Sequence, residues 1–317
     1  MNNNTKKKII SVILPILNEE QVILDFINEL VKIIKKENFK YEILAIDDNS
    51  VDNTFEILKK LNSKNKNIKI IQMSKRFGDQ SCIMAGFKYC KGDCAIVMDS
   101  DFQHPPKYLP KMIQSWLEGN QTILMIRKEQ GHDNFFKKYS EIYFYKFLSF
   151  LSNTTIYNRF SGFCLIDRKV IEALNNHLES SPFVRGLISS LGFKIKTLKY
   201  VESVRLRGET KYNLSKMFNL AMDGIFNFSY KPLYLSLYIG LIIVFSTFLY
   251  GLIILTQYFF FELKTDGWAS LMLAIIFFGG CQLIFIGIQG IYISRIFQQV
   301  KKRPNYIIKD KIGIISK

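Results

Sequence analysis

The chain has 317 residues, and its 43 lysines and arginines against 27 acidic residues give a formal charge of +16. That length admits one large domain with an appendage, or two ordinary domains. The basic residues are dispersed and no nucleic-acid-binding motif occurs, which argues against a nucleic-acid partner and for anionic lipid. The five cysteines, Cys82, Cys90, Cys94, Cys164 and Cys281, are odd in number and lack metal-ligand spacing, so they read as buried thiols in a reducing compartment.

A mean hydropathy of +0.08 beside 22% charged residues requires that the apolar residues be concentrated somewhere. The N-terminus "MNNNTKKKII" is basic, but the apolar run behind it is broken by "PILNEE" and no cleavage site follows, so no signal peptide is expected. "KIISVILPIL" is a continuous apolar run suited to a strand buried on both faces, and "NEEQVILDFINELVKIIKK" carries apolar residues at helical spacing. "YEILAIDD" repeats the strand and "SVDNTFEILKKL" the helix, with Ser50 or Asp52 as its N-cap. "IKIIQMS", a helix near "DQSCIMAGFKYC", "DCAIVMD", a helix opened by "HPPKYLPKMIQSWLEG" and "TILMIRK" complete a β-α-β-α-β-α-β-α-β order. Such an order predicts an α/β fold with a mostly parallel sheet.

Farther along, "SKMFNLAMDGIFNFS" places Met217, Leu220, Ala221, Gly224, Ile225 and Phe228 on one helical stripe, with Lys216 and Asp223 off it. Its place just before an apolar span predicts a helix lying in the membrane interface. No charged side chain occurs from Pro232 to Phe261 or from Trp268 to Ser294, and each run exceeds the roughly 20 residues that cross a bilayer. The joining "ELKTDG" is short, so the runs predict a hairpin. Lys231, Arg295, Lys301, Lys302 and Arg303 flank it, which sets the chain ends and the catalytic part on the cytoplasmic side of the inner membrane. The alternative is two helices buried in a soluble core. The expected organisation is a cytoplasmic domain over residues 1–204, a juxtamembrane segment over 205–231, spans at about 232–261 and 268–294, and a cytoplasmic tail over 295–317.

Polar residues punctuate the predicted strand ends. Asn18 and Glu19 follow the first, Asp47 and Asp48 the second, Arg76 the third, and Asp99 and Asp101 the fourth. In a parallel sheet these ends share one rim, where ligands bind. No Gly-x-Gly-x-x-Gly follows the first strand and no Walker A loop occurs, which disfavours a dinucleotide oxidoreductase and a P-loop ATPase. Carboxylates repel phosphate unless a cation lies between them. Two aspartates at i and i+2 on an extended segment point the same way, and with a nearby amide oxygen they offer hard ligands for Mg2+ or Mn2+.

"SVILPILNEE", "YEILAIDDNSVDNT", "SKRFGDQSCIMAGFKYCKGDCAIVMDSDFQHPP", "SGFCLIDRKVIEAL" and "RGETKYNLSKMFNLAMDGI", followed by two apolar spans, resemble glycosyltransferase family 2 enzymes that act on polyprenyl phosphate. The likeness is to the bacterial polyprenol-phosphate glucosyltransferase group and, more distantly, to dolichol-phosphate mannose synthase. It runs from about Ile10 to Tyr306. It implies a Rossmann-like GT-A domain with amphipathic interface helices and a two-helix transmembrane hairpin. It further implies inverting transfer of a sugar, such as glucose, from a nucleoside diphosphate sugar, with uridine as the expected base, to undecaprenyl phosphate. A homo-oligomer such as a tetramer is compatible with it. Carried over by motif, Pro15, Leu17, Asn18, Glu19, Asp48, Arg76 and Gly78 surround the nucleotide, and Asp99, Asp101 and Gln103 form the metal and diphosphate site. Arg127 faces the sugar or phosphates, and Arg207 and Lys211 approach the phosphates from the membrane side.

The sequence departs from its relatives at two places. Many carry Gly-Asp-Phe-Arg-Leu where this chain has Ser161, Gly162, Phe163, Cys164 and Leu165, and several carry Asp where it has His104. These changes leave the reaction class standing and bear on donor and acceptor choice. His104 reads as a cap or loop residue before it reads as a ligand, Asp47 as a strand end, Cys164 as packing, and Arg185 as either an acceptor contact or an interface residue. His132 and His177 read as surface residues. A glycan-elongating synthase would carry more spans and a Gln-x-x-Arg-Trp segment, which is absent here. An inactive scaffold would have lost its metal ligands, and both aspartates remain.

Overall fold

The computed structural model describes residues 8–128, 157, 160–176, 184–202, 231–261, 267–301 and 303–314. Strands β1 (Ile9–Ile16), β2 (Lys40–Asp47), β3 (Ile68–Met73) and β4 (Cys94–Val97) alternate with helices α1 (Ile23–Lys36), α2 (Thr54–Lys64) and α3 (Asp79–Tyr89). The four strands lie in the order β3-β2-β1-β4, all parallel. Their unbroken apolar sequences follow from burial on both faces. Ile10, Val12 and Leu14 pack with Phe26, Ile27 and Leu30 of α1, while Ile13 packs with Cys82, Ile83 and Phe87 of α3. Each such side chain contributes roughly 1.5–3 kcal/mol of transfer free energy. Helix α3 lies so close to β1 that a Cβ on Gly86 would sit 2.3 Å from Ile13 Cγ2, so no larger residue fits without moving the helix.

A short 3-10 turn (Pro106–Tyr108) leads into α4 (Leu109–Leu117), followed by β5 (Thr122–Arg127), β6 (Phe160–Asp167), α5 (Arg168–Asn176), α6 (Val184–Ser190) and β7 (Ile195–Tyr200). Strand β6 inserts between β4 and β5 and runs antiparallel to both, and β7 pairs parallel with β5. The sequence reading placed neither β6 nor β7. Strand β6 alternates between the two core clusters, Phe163 and Leu165 on one side and Cys164 and Ile166 on the other, so it too is covered on both faces. Its direction brings its first residues, Phe160 to Gly162, to the rim at which β4 and β5 end.

Helices α7 (Lys231–Phe261) and α8 (Trp268–Val300) contain the segments Leu233–Ile254 and Ser270–Val300, each with mean hydropathy 2.4. Their apolar side chains stand exposed, Val244 at 67% and Ile276 at 71%, which removes the alternative of buried core helices. Helix α8 runs past the expected end at 294. The stretch expected as a tail then forms β8 (Ile308–Ile312), which pairs antiparallel with β3 and closes that edge of the eight-stranded sheet. The expected interface helix, including Met217 and Phe228, lies outside the described residues.

The base of the sheet, opposite the rim, is neutral to chemistry. Buried Glu42 accepts hydrogen bonds from Ser11 Oγ at 2.6 Å and Lys91 N–H at 2.5 Å and pairs with Lys69, so every charge there is matched.

Candidate active site

The loops after β1 and β2 are laced together by local hydrogen bonds. Asn18, in the left-handed region at φ 55°, donates its N–H to Ser50 Oγ at 2.9 Å and accepts Val51 N–H on Oδ1 at 2.9 Å. Glu19 N–H donates to Thr54 Oγ1 at 2.9 Å, and Asn53 N–H donates to Glu20 Oε2 at 2.9 Å. Asparagine tolerates that backbone conformation because its short amide satisfies the turn locally. Pro15 and Leu17 are half-buried beside this loop and Asn18 is exposed.

Asp47 and Asp48 point to different tasks. Asp47 is fully buried and accepts Ser50 N–H at 3.2 Å and Gln72 Nε2–H at 3.4 Å, and burial raises its pKa above 3.8. Asp48 accepts Phe77 N–H at 2.7 Å on one oxygen and Gly78 N–H at 2.8 Å on the other. Its carboxylate therefore clamps the loop that carries exposed Arg76, and Gly78 in turn needs its missing side chain because its φ is 92°. Asp48 is 3% exposed, so its first role in the structure is to shape the loop after β3.

The chain leaves β4 through Asp99 to His104 in a tight turn. Phe102 adopts φ 66° and packs edge-on against Phe26 at 5.1 Å, while Gln103 N–H donates to Asp101 Oδ1 at 3.1 Å. Asp99 and Asp101 remain partly exposed at the rim, and Gln103 is half-buried beside them. His104 is buried, at 2% exposure, and stacks on Phe163 at 4.9 Å. Its Nδ1 accepts Asp99 N–H at 2.9 Å, and its Nε2 lies 2.8 Å from Ser161 Oγ. Burial pushes its pKa down to about 3, aided by Arg185 and Arg127 and opposed by Asp101, so the ring is neutral. It is a buried loop residue whose two ring nitrogens both face partners within the protein.

Beyond β5, Arg127 pairs with Glu202 at 2.6 Å, and Tyr200, its register partner on β7, has its Oη 2.9 Å from Ser161 Oγ. The pKa of Glu202 is raised by burial against the pull of Arg127, with Asp101 and Asp99 adding to the rise. Glu202, Tyr200 and Ser161 are the site residues that sequence reasoning missed. Glu202 follows another strand that ends at the same rim, but "KTLKYVE" lacks the apolar run that marks the other strands.

Thus the structure brings Asn18, Glu19, Asp48, Arg76, Gly78, Asp99, Asp101, Gln103 and Arg127 to one edge of the sheet. Arg207 and Lys211 lie outside the described residues. Cys164 is fully buried and burial raises its thiol pKa to about 12, which makes it packing and not a nucleophile. Among the described residues no group of three His, Cys, Asp or Glu side chains is placed to hold a metal. The donor set at the rim is two hard carboxylates, which fits a Mg2+ or Mn2+ ion whose remaining positions are filled by a diphosphate and water.

The sequence profile of Glycosyl transferase family 2 matches residues 11–174. The chain belongs to glycosyltransferase family 2. This family 2 member is 39% identical over 97% of its length to the uncharacterized glycosyltransferase YkcC of Bacillus subtilis, covering 95% of that protein. It is 34% identical over 95% of its length to a prophage bactoprenol glucosyl transferase homolog of Escherichia coli, covering 98% of it. A crystal structure of glucosyl-3-phosphoglycerate synthase from Mycobacterium tuberculosis, with Mn2+ and UDP-glucose, matches at TM-score 0.46 and 18% identity, over 69% of this chain and 77% of that one.

Proposed function

We propose that this family 2 enzyme transfers glucose from UDP-glucose to undecaprenyl phosphate at the cytoplasmic face of the membrane, with Mg2+ or Mn2+ at Asp99 and Asp101. The observation that carries the acceptor and sugar is the full-length likeness to bactoprenol glucosyl transferases, 34% identical over 300 residues, together with two exposed apolar helices. What supports the metal is the chemistry of the rim, where paired carboxylates face the place a diphosphate must occupy.

The nucleotide sits across the loops after β1, β2 and β3, in the cradle formed by Pro15, Leu17, Asn18, Glu19 and the Asp48-clamped loop. A divalent ion, when bound, neutralises the charge that develops on the departing diphosphate. Arg127, at the end of β5, supplies a fixed positive charge on the other side, and Arg207 and Lys211 are proposed to reach the phosphates from the membrane side. Fixed charges of this kind favour the transition state because they need no reorganisation as it forms. The acceptor is a phosphate monoester whose second pKa lies near 6, so much of it is already dianionic at neutral pH. It can attack the anomeric carbon without a general base, in keeping with Gly162 where many relatives carry Asp.

The test is purified protein with undecaprenyl phosphate and a panel of nucleotide sugars, read by mass spectrometry of the lipid. The expected product is a hexosyl adduct formed with UDP-glucose and lost in EDTA. A folded enzyme that gives no lipid adduct with any donor would overturn the acceptor, and an adduct formed only from another donor would overturn the sugar.

A further inference from the structure

The buried chain of hydrogen bonds behind the rim has no place in the reaction described so far. It starts at the backbone of Asp99 and passes through His104 and Ser161 to Tyr200, which faces Arg127 in the β5–β7 pairing, where Arg127 is ion-paired to Glu202. Because the Asp99 N–H donates to Nδ1 at 2.9 Å, the neutral imidazole must carry its proton on Nε2. Nε2–H then donates to Ser161 Oγ at 2.8 Å, and Ser161 and Tyr200 share a hydrogen between hydroxyls 2.9 Å apart. The ring cannot rotate away. It is stacked on Phe163 at 4.9 Å and boxed edge-on by Tyr200 at 6.0 Å, which is itself held edge-on by Tyr108 at 6.0 Å. Tyr108 Oη in turn accepts Val201 N–H at 3.0 Å, one residue from Glu202.

Three elements of the rim that are far apart in sequence are thereby tied to one another: the aspartate turn after β4, the start of β6 and the ends of β5 and β7. The same turn carries Phe102 at φ 66°, a conformation that a bulky side chain rarely adopts and that the surrounding contacts hold in place.

We propose that His104 is a positioning residue that, with Ser161 and Tyr200, locks the Asp99–Asp101 turn in ion-binding geometry and couples it to Arg127. This rests on the reading of that turn as the metal site. Outer-shell partners of metal ligands act in this way, by fixing orientation before the ion arrives. The coupling has a further consequence. An ion at the turn and a phosphate at Arg127 each favour the same arrangement, so each strengthens binding of the other.

The test is Mn2+ binding to the full-length protein in detergent, followed by the loss of the free-ion electron paramagnetic resonance signal, with and without UDP. The variants are His104→Asn, His104→Gln, His104→Phe and Ser161→Ala. Asparagine can place its oxygen near the position of Nδ1, and glutamine its amide near that of Nε2–H. His104→Phe is expected to weaken Mn2+ binding by roughly 10-fold or more, the range for outer-shell changes, and Ser161→Ala, which leaves the bond to Asp99 in place, by less. His104→Asn is expected to recover most of the affinity and His104→Gln little, because the bond to Asp99 is the one that shapes the turn. UDP should strengthen Mn2+ binding less in Ser161→Ala than in the wild type. Thermal melts of each variant establish that it is folded, and Ser161→Ala, at a half-exposed position, keeps the test available if His104→Phe is not. If the wild type binds no Mn2+ with UDP present, the metal reading itself fails. If the wild type binds and His104→Gln, together with His104→Phe where it is folded, binds Mn2+ equally, while Ser161→Ala keeps the full UDP effect, the positioning role is overturned.

Discussion

Removing the Asp48 carboxylate should release the loop that carries Arg76 before it affects anything else. Both oxygens are engaged, by Phe77 N–H at 2.7 Å and Gly78 N–H at 2.8 Å, in a place only 3% exposed. Hydrogen bonds to a charged group contribute about 1.5–3 kcal/mol each, and part of the loss is recovered by water, so Asp48→Ala should cost about 3 kcal/mol. In a folded unit of this size that is a fall in Tm of roughly 6–12 °C. Asp48→Asn keeps one acceptor oxygen and should cost about half as much. Hydrogen exchange read by mass spectrometry on a peptide spanning residues 74–80 gives the local answer. Protection there should drop on the order of 100-fold in Asp48→Ala if the loop opens independently of the rest. UDP affinity should fall with it. The reasoning is refuted if the loop exchanges as in the wild type while UDP binding is lost, because Asp48 would then act on the nucleotide and not on the loop.

Asp101→Asn should remove most transfer activity in washed membranes at saturating donor and Mg2+, with a fall of about 100-fold or more, whereas full activity would contradict the role assigned to that carboxylate. Burial raises the pKa of Asp47 above its ordinary 3.8, against the pull of its hydrogen bonds from Ser50 and Gln72. A raised pKa means that the folded state binds the proton more readily, so its stabilising effect is complete below the unfolded value and is lost as pH rises through the folded one. The stability of the wild type relative to Asp47→Asn should therefore increase as pH is lowered toward 3.8 in urea titrations. Truncation after residue 304 removes β8 and bares the edge of β3, which should lower Tm and promote aggregation seen by light scattering. For the hairpin, a Cys281→Ser background with Thr265→Cys should label from outside intact cells with an impermeant maleimide, and Arg303→Cys should not.

The parallel half of the fold was legible because strands covered on both faces are continuous in apolar residues and end abruptly in polar ones. That pattern alone located Asn18, Asp48, Arg76, Asp99 and Asp101 on a common rim. The other half was not legible for a reason that differs by strand. Strand β7, "IKTLKY", lies at the sheet edge with lysines exposed, so no apolar run announced it or the glutamate that follows. Strand β6 was noticed for its motif, and nothing in its residues showed that it runs backwards between β4 and β5. Strand β8, "IKDKI", is three consecutive charged residues between two isoleucines, and it pairs with the edge of β3.

The same limit applies within the site. A carboxylate at a strand end is visible in sequence, but whether it faces a ligand or a backbone amide is decided by a loop 29 residues away, as at Asp48 and Phe77. His104 stands in a polar turn and reads in sequence as a cap or loop residue. Its burial comes from Phe163 and Tyr200, which arrive from strands the sequence did not place.

The claim on which the rest depends is that Asp99 and Asp101 hold a divalent ion against the diphosphate of the donor. Anomalous scattering from a crystal grown with Mn2+ and UDP measures this directly. The account predicts one strong manganese peak at the β4 rim, within about 2–2.5 Å of oxygens from these carboxylates and from the diphosphate. UDP bound in the cradle with no manganese between it and the two aspartates would contradict it.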